Sequence, residues 1–217
     1  MRSFETWEFE QVNDAFGMVQ IWEHPLLDRW LQAEHEINPT KLEMLEDLRI
    51  EALHQVTTWN EDELKFLVIS PLMNLAKFGG VNKEYKVFTQ RRLSATVNDI
   101  EISGIVDCMV STGKQIPKHP FFFVHEWNAT RYKQERKRDN DPLGQLLVEM
   151  IAAQAKNQTD HPIYGVYITD RFWFFTILIG NQYIVNYALD ITRKDDTLRI
   201  FKMLLFVKQE IEAYFNR

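Results

Sequence analysis

The spacing of apolar residues divides the chain into a helical front and a mixed remainder. In "FETWEFEQVNDAFGMVQIW" and "PLLDRWLQAEHEI", aromatics and leucines recur at roughly helical intervals. "TKLEMLEDLRIEALHQV" places Leu42, Leu45 and Leu48 on one side and opens with Thr40 and Glu43 at capping-box spacing. "NEDELKFLVISPLMNLAKF" repeats that opening with Asn60 and Glu63 and keeps Leu64, Leu67, Val68 and Leu72 together. Pro71 inside it predicts a kink or a break, because proline lacks the N–H and crowds the preceding turn. Gly79-Gly80 then punctuates the chain.

Beyond the glycines the period changes from helical to alternating. "YKVFTQRRLSATV" and "DIEISGIVDCMV" read as strands, and "STGKQIPK" as a turn-rich connector into the aromatic strand "HPFFFVHEW". Asp141-Pro142 is an N-cap and first-turn pair for a helix over "PLGQLLVEMIAAQAKN", with Leu143, Leu146, Leu147, Met150 and Ile151 as its apolar stripe. "IYGVYITD", "FWFFTILIG" and "QYIVNYALD" predict three more strands, the last two joined by a short hairpin at Gly180-Asn181. "TLRIFKMLLFVKQEIEAYF" closes the pattern as an amphipathic helix. Strands of one sheet with a helix after the third argue for an α/β (α+β) core, residues 59–217, behind a helical N-terminal extension, residues 1–58, in one compact unit.

Composition narrows the function classes. With 25 basic and 31 acidic residues in 217, the net charge is −6, so any nucleic-acid contact must rest on a local basic patch. The single cysteine, Cys108, excludes an internal disulfide and leaves cysteine-rich zinc motifs without ligands. No apolar run reaches the roughly 18 residues of a membrane span, and the first residues lack a signal-peptide pattern, so no membrane partner and a cytoplasmic location are expected.

The chemistry concentrates at "HPFFFVHEWN", where an aromatic strand ends in Glu126 and then Asn128. Alternation puts Phe122, Val124, Glu126 and Asn128 on one face and His125 on the other. The strand before it carries a lone acid, Asp107, and a connector over 111–119 would pair the two strands as an antiparallel hairpin. Asp107 and Glu126 would then be neighbours. Two carboxylates forced together raise one another's pKa unless a cation sits between them, a position that suits magnesium. The plainer reading leaves both acids solvated at sheet edges. His125 and Cys108 read as core residues, and so do the aromatics around Tyr164 and Trp173.

The order of a glutamate-bearing helix, a strand ending "GIVD", a strand "FFFVHEWN" and a helix "PLGQLLVEMIAAQ" resembles the PD-(D/E)XK nuclease superfamily. It looks closest to small bacterial members with a Gly-Gln-Leu-Leu helix, a Tyr-Gly-Val strand and a Trp-Phe strand. The resemblance covers about residues 60–215. It implies a restriction-endonuclease-like mixed sheet flanked by helices, hydrolysis of phosphodiesters with Mg2+ or Mn2+, and nucleic acid as partner, DNA favoured. It matches Asp107 to the motif aspartate, Glu126 to the (D/E) position, Gln145 to a glutamine of the following helix and Glu63 to an acid of the first core helix. Asp107, Glu126 and Glu63 would then hold the metal.

The motif lysine is missing: Asn128 stands in its place. Asparagine carries no charge and is no base at neutral pH. Losing a positioned proton-transfer group costs on the order of 10²–10⁴ in rate. Either another cation has taken the role or catalysis is weakened or lost, which would leave a nuclease-fold module that binds nucleic acid or protein. Lys133 and Arg131, in the basic run "NATRYKQERKRDND", are candidates for the displaced cation; that run also reads as a solvated charged loop. The N-terminal helices carry no recognisable chemistry and could pack on the core, cap a sheet edge or form a homodimer contact.

Overall fold

A computed structural model describes residues 1–79, 83–128, 141–158 and 161–216, with the backbone alone for Trp127 and Asn128. The described strands are β1 (Arg2–Ser3), β2 (Val19–Gln20), β3 (Tyr85–Val97), β4 (Ile100–Thr112), β5 (Lys118–Asn128), β6 (Ile163–Thr169), β7 (Phe172–Ile179), β8 (Gln182–Val185) and β9 (Leu189–Asp190). They form one mixed sheet in the order β1-β4-β5-β6-β7-β8-β2, with β3 also on β4 and β9 on β7. β5 and β6 run parallel because a helix, α6 (Pro142–Asn157), connects them. The other helices are α1 (Phe9–Phe16), α2 (Pro25–Leu31), α3 (Pro39–Gln55), α4 (Glu61–Leu64), α5 (Ser70–Ala76) and α7 (Lys194–Phe215).

The sheet lies between two apolar clusters, giving a helix–sheet–helix sandwich. On one side α2, α3, α5 and α7 cover Val110, Phe123, Val166 and Phe175; the Trp30 indole donates to the Met203 carbonyl at 2.8 Å and ties α2 to α7. On the other, α1 and α6 cover Ile102, Met109, Val124 and Leu178. Strands buried on both faces explain why β5 to β7 read as near-continuous apolar runs.

Residues 1–58 are more deeply built in than an appended extension would be. β1 pairs with β4 and β2 with β8, while Phe4, Trp7 and Trp30 are buried in the two clusters. Asp141 fastens this segment to α6, its carboxylate accepting from Leu143 N–H at 3.0 Å and from Phe9 N–H at 2.7 Å. Gly144 is required there, since a Cβ would lie 2.5 Å from the Trp7 carbonyl oxygen.

Other expectations are met or corrected locally. Asn60 and Glu63 form the capping box, but α3 is capped by Asn38 rather than by Thr40 and Glu43. Pro71 neither breaks nor ends its helix. A π turn, Lys65–Ile69, joins α4 to α5, and Ser70 N–H bonds back five residues to the Lys65 carbonyl. That wider turn accommodates a proline ring that an α-turn would press against the preceding carbonyl. "QYIVNYALD" divides into β8 and β9.

Phe122 does not share a face with Val124. The ladder pairs Val110 with Phe123 and Ser111 with Phe121, so Phe122 is the extra residue of a bulge and packs on Tyr214 and Phe215. The buried Asn157 side chain serves the displaced backbone, accepting from Phe121 N–H and donating to Phe121 C=O, both at 2.7 Å. Asn157→Ala leaves two buried groups unpaired and is expected to cost about 2–4 kcal/mol. An unchanged urea midpoint in that variant would show that the bulge does not depend on the amide.

Candidate functional site

Strand register brings the two predicted acids together. β4 and β5 pair antiparallel with Cys108 opposite His125, so one step further Asp107 faces Glu126. Asp107 and the neighbouring buried acid Glu149 both disfavour a negative charge on Glu126, so its protonated form is favoured. Glu126 is only 6% exposed. Burial first, then the neighbouring Glu149 and Asp107 charges, hold its pKa well above the usual carboxylate range.

Gln145 and Glu149 enter from α6, one turn apart. Gln145 is 7% exposed and Glu149 fully buried, and the Gln145 amide donates to Glu149 Oε1 at 3.3 Å. Burial is again the main reason the Glu149 pKa lies well above normal; the Gln145 hydrogen bond opposes it and the Asp107 charge adds to it. Glu126 Oε2 and Glu149 Oε2 have no hydrogen-bond partner among the described residues. Two buried acids with orphaned oxygens are costly unless they stay protonated or meet a cation.

A lysine reaches this group from the first core helix. Lys65 Nζ lies 3.8 Å from Asp107 Oδ1, 2.6 Å from Glu61 Oε1 and 3.8 Å from Asp62 Oδ1. Its side chain is one-fifth exposed, so the ammonium stands at the rim of the buried acids. The π turn begins at Lys65, and such insertions recur at functional sites because they re-aim side chains without ending the helix.

Gln90 completes the surroundings of Asp107. Its amide donates to Asp107 Oδ1, and its backbone has φ of 51°, uncommon for a non-glycine residue inside a strand. Phe88 and Leu93 reach the same core cluster although an odd number of positions apart, and so do Val106 and Met109. In an unbroken strand that spacing puts side chains on opposite faces. Both strands therefore turn over once, at Gln90 and Asp107, and strain is concentrated beside the acid.

Of the predicted residues, Asp107, Glu126 and Gln145 are brought together with Glu149. Glu63 is not: its carboxylate accepts from Asn60 N–H at 2.7 Å in the capping box, and Glu61 of the same turn stands near the acids instead. Asn128 lies at the strand end opposite Thr169, and Lys133 falls outside the described residues. His125 is buried between the rings of Phe123 and Trp173, its pKa pushed down to about 3, and burial pushes the Cys108 thiol up to about 12. Both belong to the core, as expected. Sequence reading missed Lys65, Glu149 and Gln90. The i, i+4 pairs Glu61/Lys65 and Gln145/Glu149 were visible signals; the left-handed backbone of Gln90 left none.

The donor set suits a hard cation. Among the described residues no three His, Cys, Asp or Glu side chains are arranged as a metal cage. Magnesium does not need one: one or two carboxylates plus waters and substrate phosphates commonly hold it. Asp107 with the orphaned Glu126 oxygen meets that requirement. No protein-family profile matches the chain, and no curated protein sequence matches it. No helix among the described residues is long and apolar enough to cross a membrane.

Proposed function

We propose that the chain is a metal-dependent phosphodiesterase acting on nucleic acid, DNA favoured, with a restriction-endonuclease-like core of the PD-(D/E)XK type in which Lys65 replaces the missing motif lysine. One observation carries the reading: Asp107 and Glu126 meet, and Lys65 Nζ stands 3.8 Å from Asp107. Asp107 and Glu126 would hold Mg2+ or Mn2+, which when bound lowers the pKa of water and offsets phosphate charge. Glu126 would serve as a ligand in its carboxylate form, because coordination requires it. Lys65, oriented by Glu61, presents an ammonium that can hydrogen-bond the attacking water or a phosphate oxygen. Gln145 holds Glu149 in place behind them.

The test is nicking of supercoiled plasmid and degradation of single-stranded DNA with Mg2+ or Mn2+. Cutting is expected from the parent protein and loss of it in Asp107→Ala and Glu126→Ala. A folded parent protein that does not cut would replace this reading with that of a nuclease-fold binding module.

A further inference from the structure

A second feature lies outside the carboxylate group. A concavity of about 550 Å³ opens between β3, the start of β5 and the end of α6, and Arg92, Lys118, His119 and Lys156 line it. No Asp or Glu side chain is among its described lining residues. In a chain of net charge −6, an acid-free basic hollow is a departure from the general surface. Its floor is apolar, with Leu93 and Phe121 buried beneath it. Lys118 and Lys156 are exposed and belong to no ion pair found among the described residues, while Arg92 also donates to Ser103 Oγ at 3.1 Å.

The hollow and the site share two elements. Arg92 is on the same strand as Gln90, whose amide holds Asp107. Lys156 is on the same helix as Glu149, about 10 Å further along the axis at 1.5 Å per residue. That is roughly three steps of a duplex strand at 3.4 Å each. We propose that this hollow binds the phosphate backbone of a nucleic acid whose continuation reaches the carboxylates, Lys118 and Lys156 contacting phosphates and Leu93 and Phe121 underlying the sugars. The inference rests on the nuclease reading for the nature of the ligand, and on the hollow's own charge for its place.

The test measures binding in EDTA, where no cutting occurs. Fluorescence anisotropy with labelled single-stranded and duplex oligonucleotides, at 50 to 200 mM salt, reads affinity and its salt slope. The Lys118→Ala/Lys156→Ala double variant is expected to bind at least about tenfold more weakly than the parent, with a log–log slope shallower by about 2. Circular dichroism checks its fold. No binding by the parent at 50 mM salt, or an unchanged slope in the double variant, overturns the proposal. Slope-dependent binding by a protein that never cuts leaves the hollow standing and sinks the catalytic reading. Cutting with an unchanged KM in the double variant does the reverse.

Discussion

On the phosphodiesterase reading proposed above, Lys65→Ala is expected to lower metal-dependent cleavage on the order of 10²–10⁴-fold, the usual cost of losing a positioned proton-transfer or charge-stabilising group. The variant should still fold. Lys65 lies on a π turn with its side chain partly exposed, and its ion pairs with Glu61 and Asp62 are local. Pairs of this i, i+3 and i, i+4 kind contribute only a few tenths of a kcal/mol each, roughly 0.2–0.5. Two further variants sharpen the result. Lys65→Arg keeps the charge but not a group that can give up its proton, so substantial activity in it would assign Lys65 to phosphate charge rather than proton transfer. Lys65→Ala/Asn128→Lys restores an ammonium to the strand position where the superfamily pattern has one, and partial recovery is expected. Cleavage by Lys65→Ala at the parent rate would remove Lys65 from the reaction.

The second large effect concerns pH. Glu126 and Glu149 both have pKa values raised well above 4.5 in the folded chain, chiefly by burial. A raised folded pKa means that the folded state binds more protons than the unfolded one above about 4.5, so stability falls as pH rises toward the folded value. Without divalent cation, the melting temperature is expected to drop steadily from about pH 5 upward. Glu126→Gln keeps the shape and removes the ionisation, so its profile should be flatter and its melting temperature higher than the parent's at pH 8–9. Mg2+ should raise the parent's melting temperature at pH 8–9 and leave Glu126→Gln nearly unchanged, because binding to the folded state alone stabilises it. Parallel pH profiles for the two proteins would mean that Glu126 is not held protonated.

These effects trace back unequally to the sequence. The hairpin of β4 and β5, the Asp141-Pro142 start of α6 and the turn at Gly180 follow from local chemistry, and the structure has each. Asp107 meeting Glu126 follows from the same hairpin logic. What was not legible depends on partners distant in sequence. Glu149 looks like the polar margin of an apolar helix until β5 is laid against α6. Lys65 is one of many lysines until the π turn aims it. Glu63 and Glu61 are indistinguishable as acids of one helix start; the capping geometry claims Glu63 and leaves Glu61 to the site. Phe122 left the expected face because an inserted residue shifts the period by one, and no composition rule announces a bulge.

The fastening of the first twenty residues has a consequence for how the chain reaches this state. β1 needs β4, β2 needs β8, and α1 between them needs the start of α6. Each of these contacts spans a large part of the sequence, and such contacts form slowly because long loops must close before they contribute. During synthesis this segment leaves the ribosome well before any of its partners exist. Its aromatic residues, Phe4, Trp7 and Phe16, then have no core to enter until β4 and α6 are in place. The part made before its partners is thus the part seated after them, and slow refolding phases should report on Trp7 rather than on Trp173.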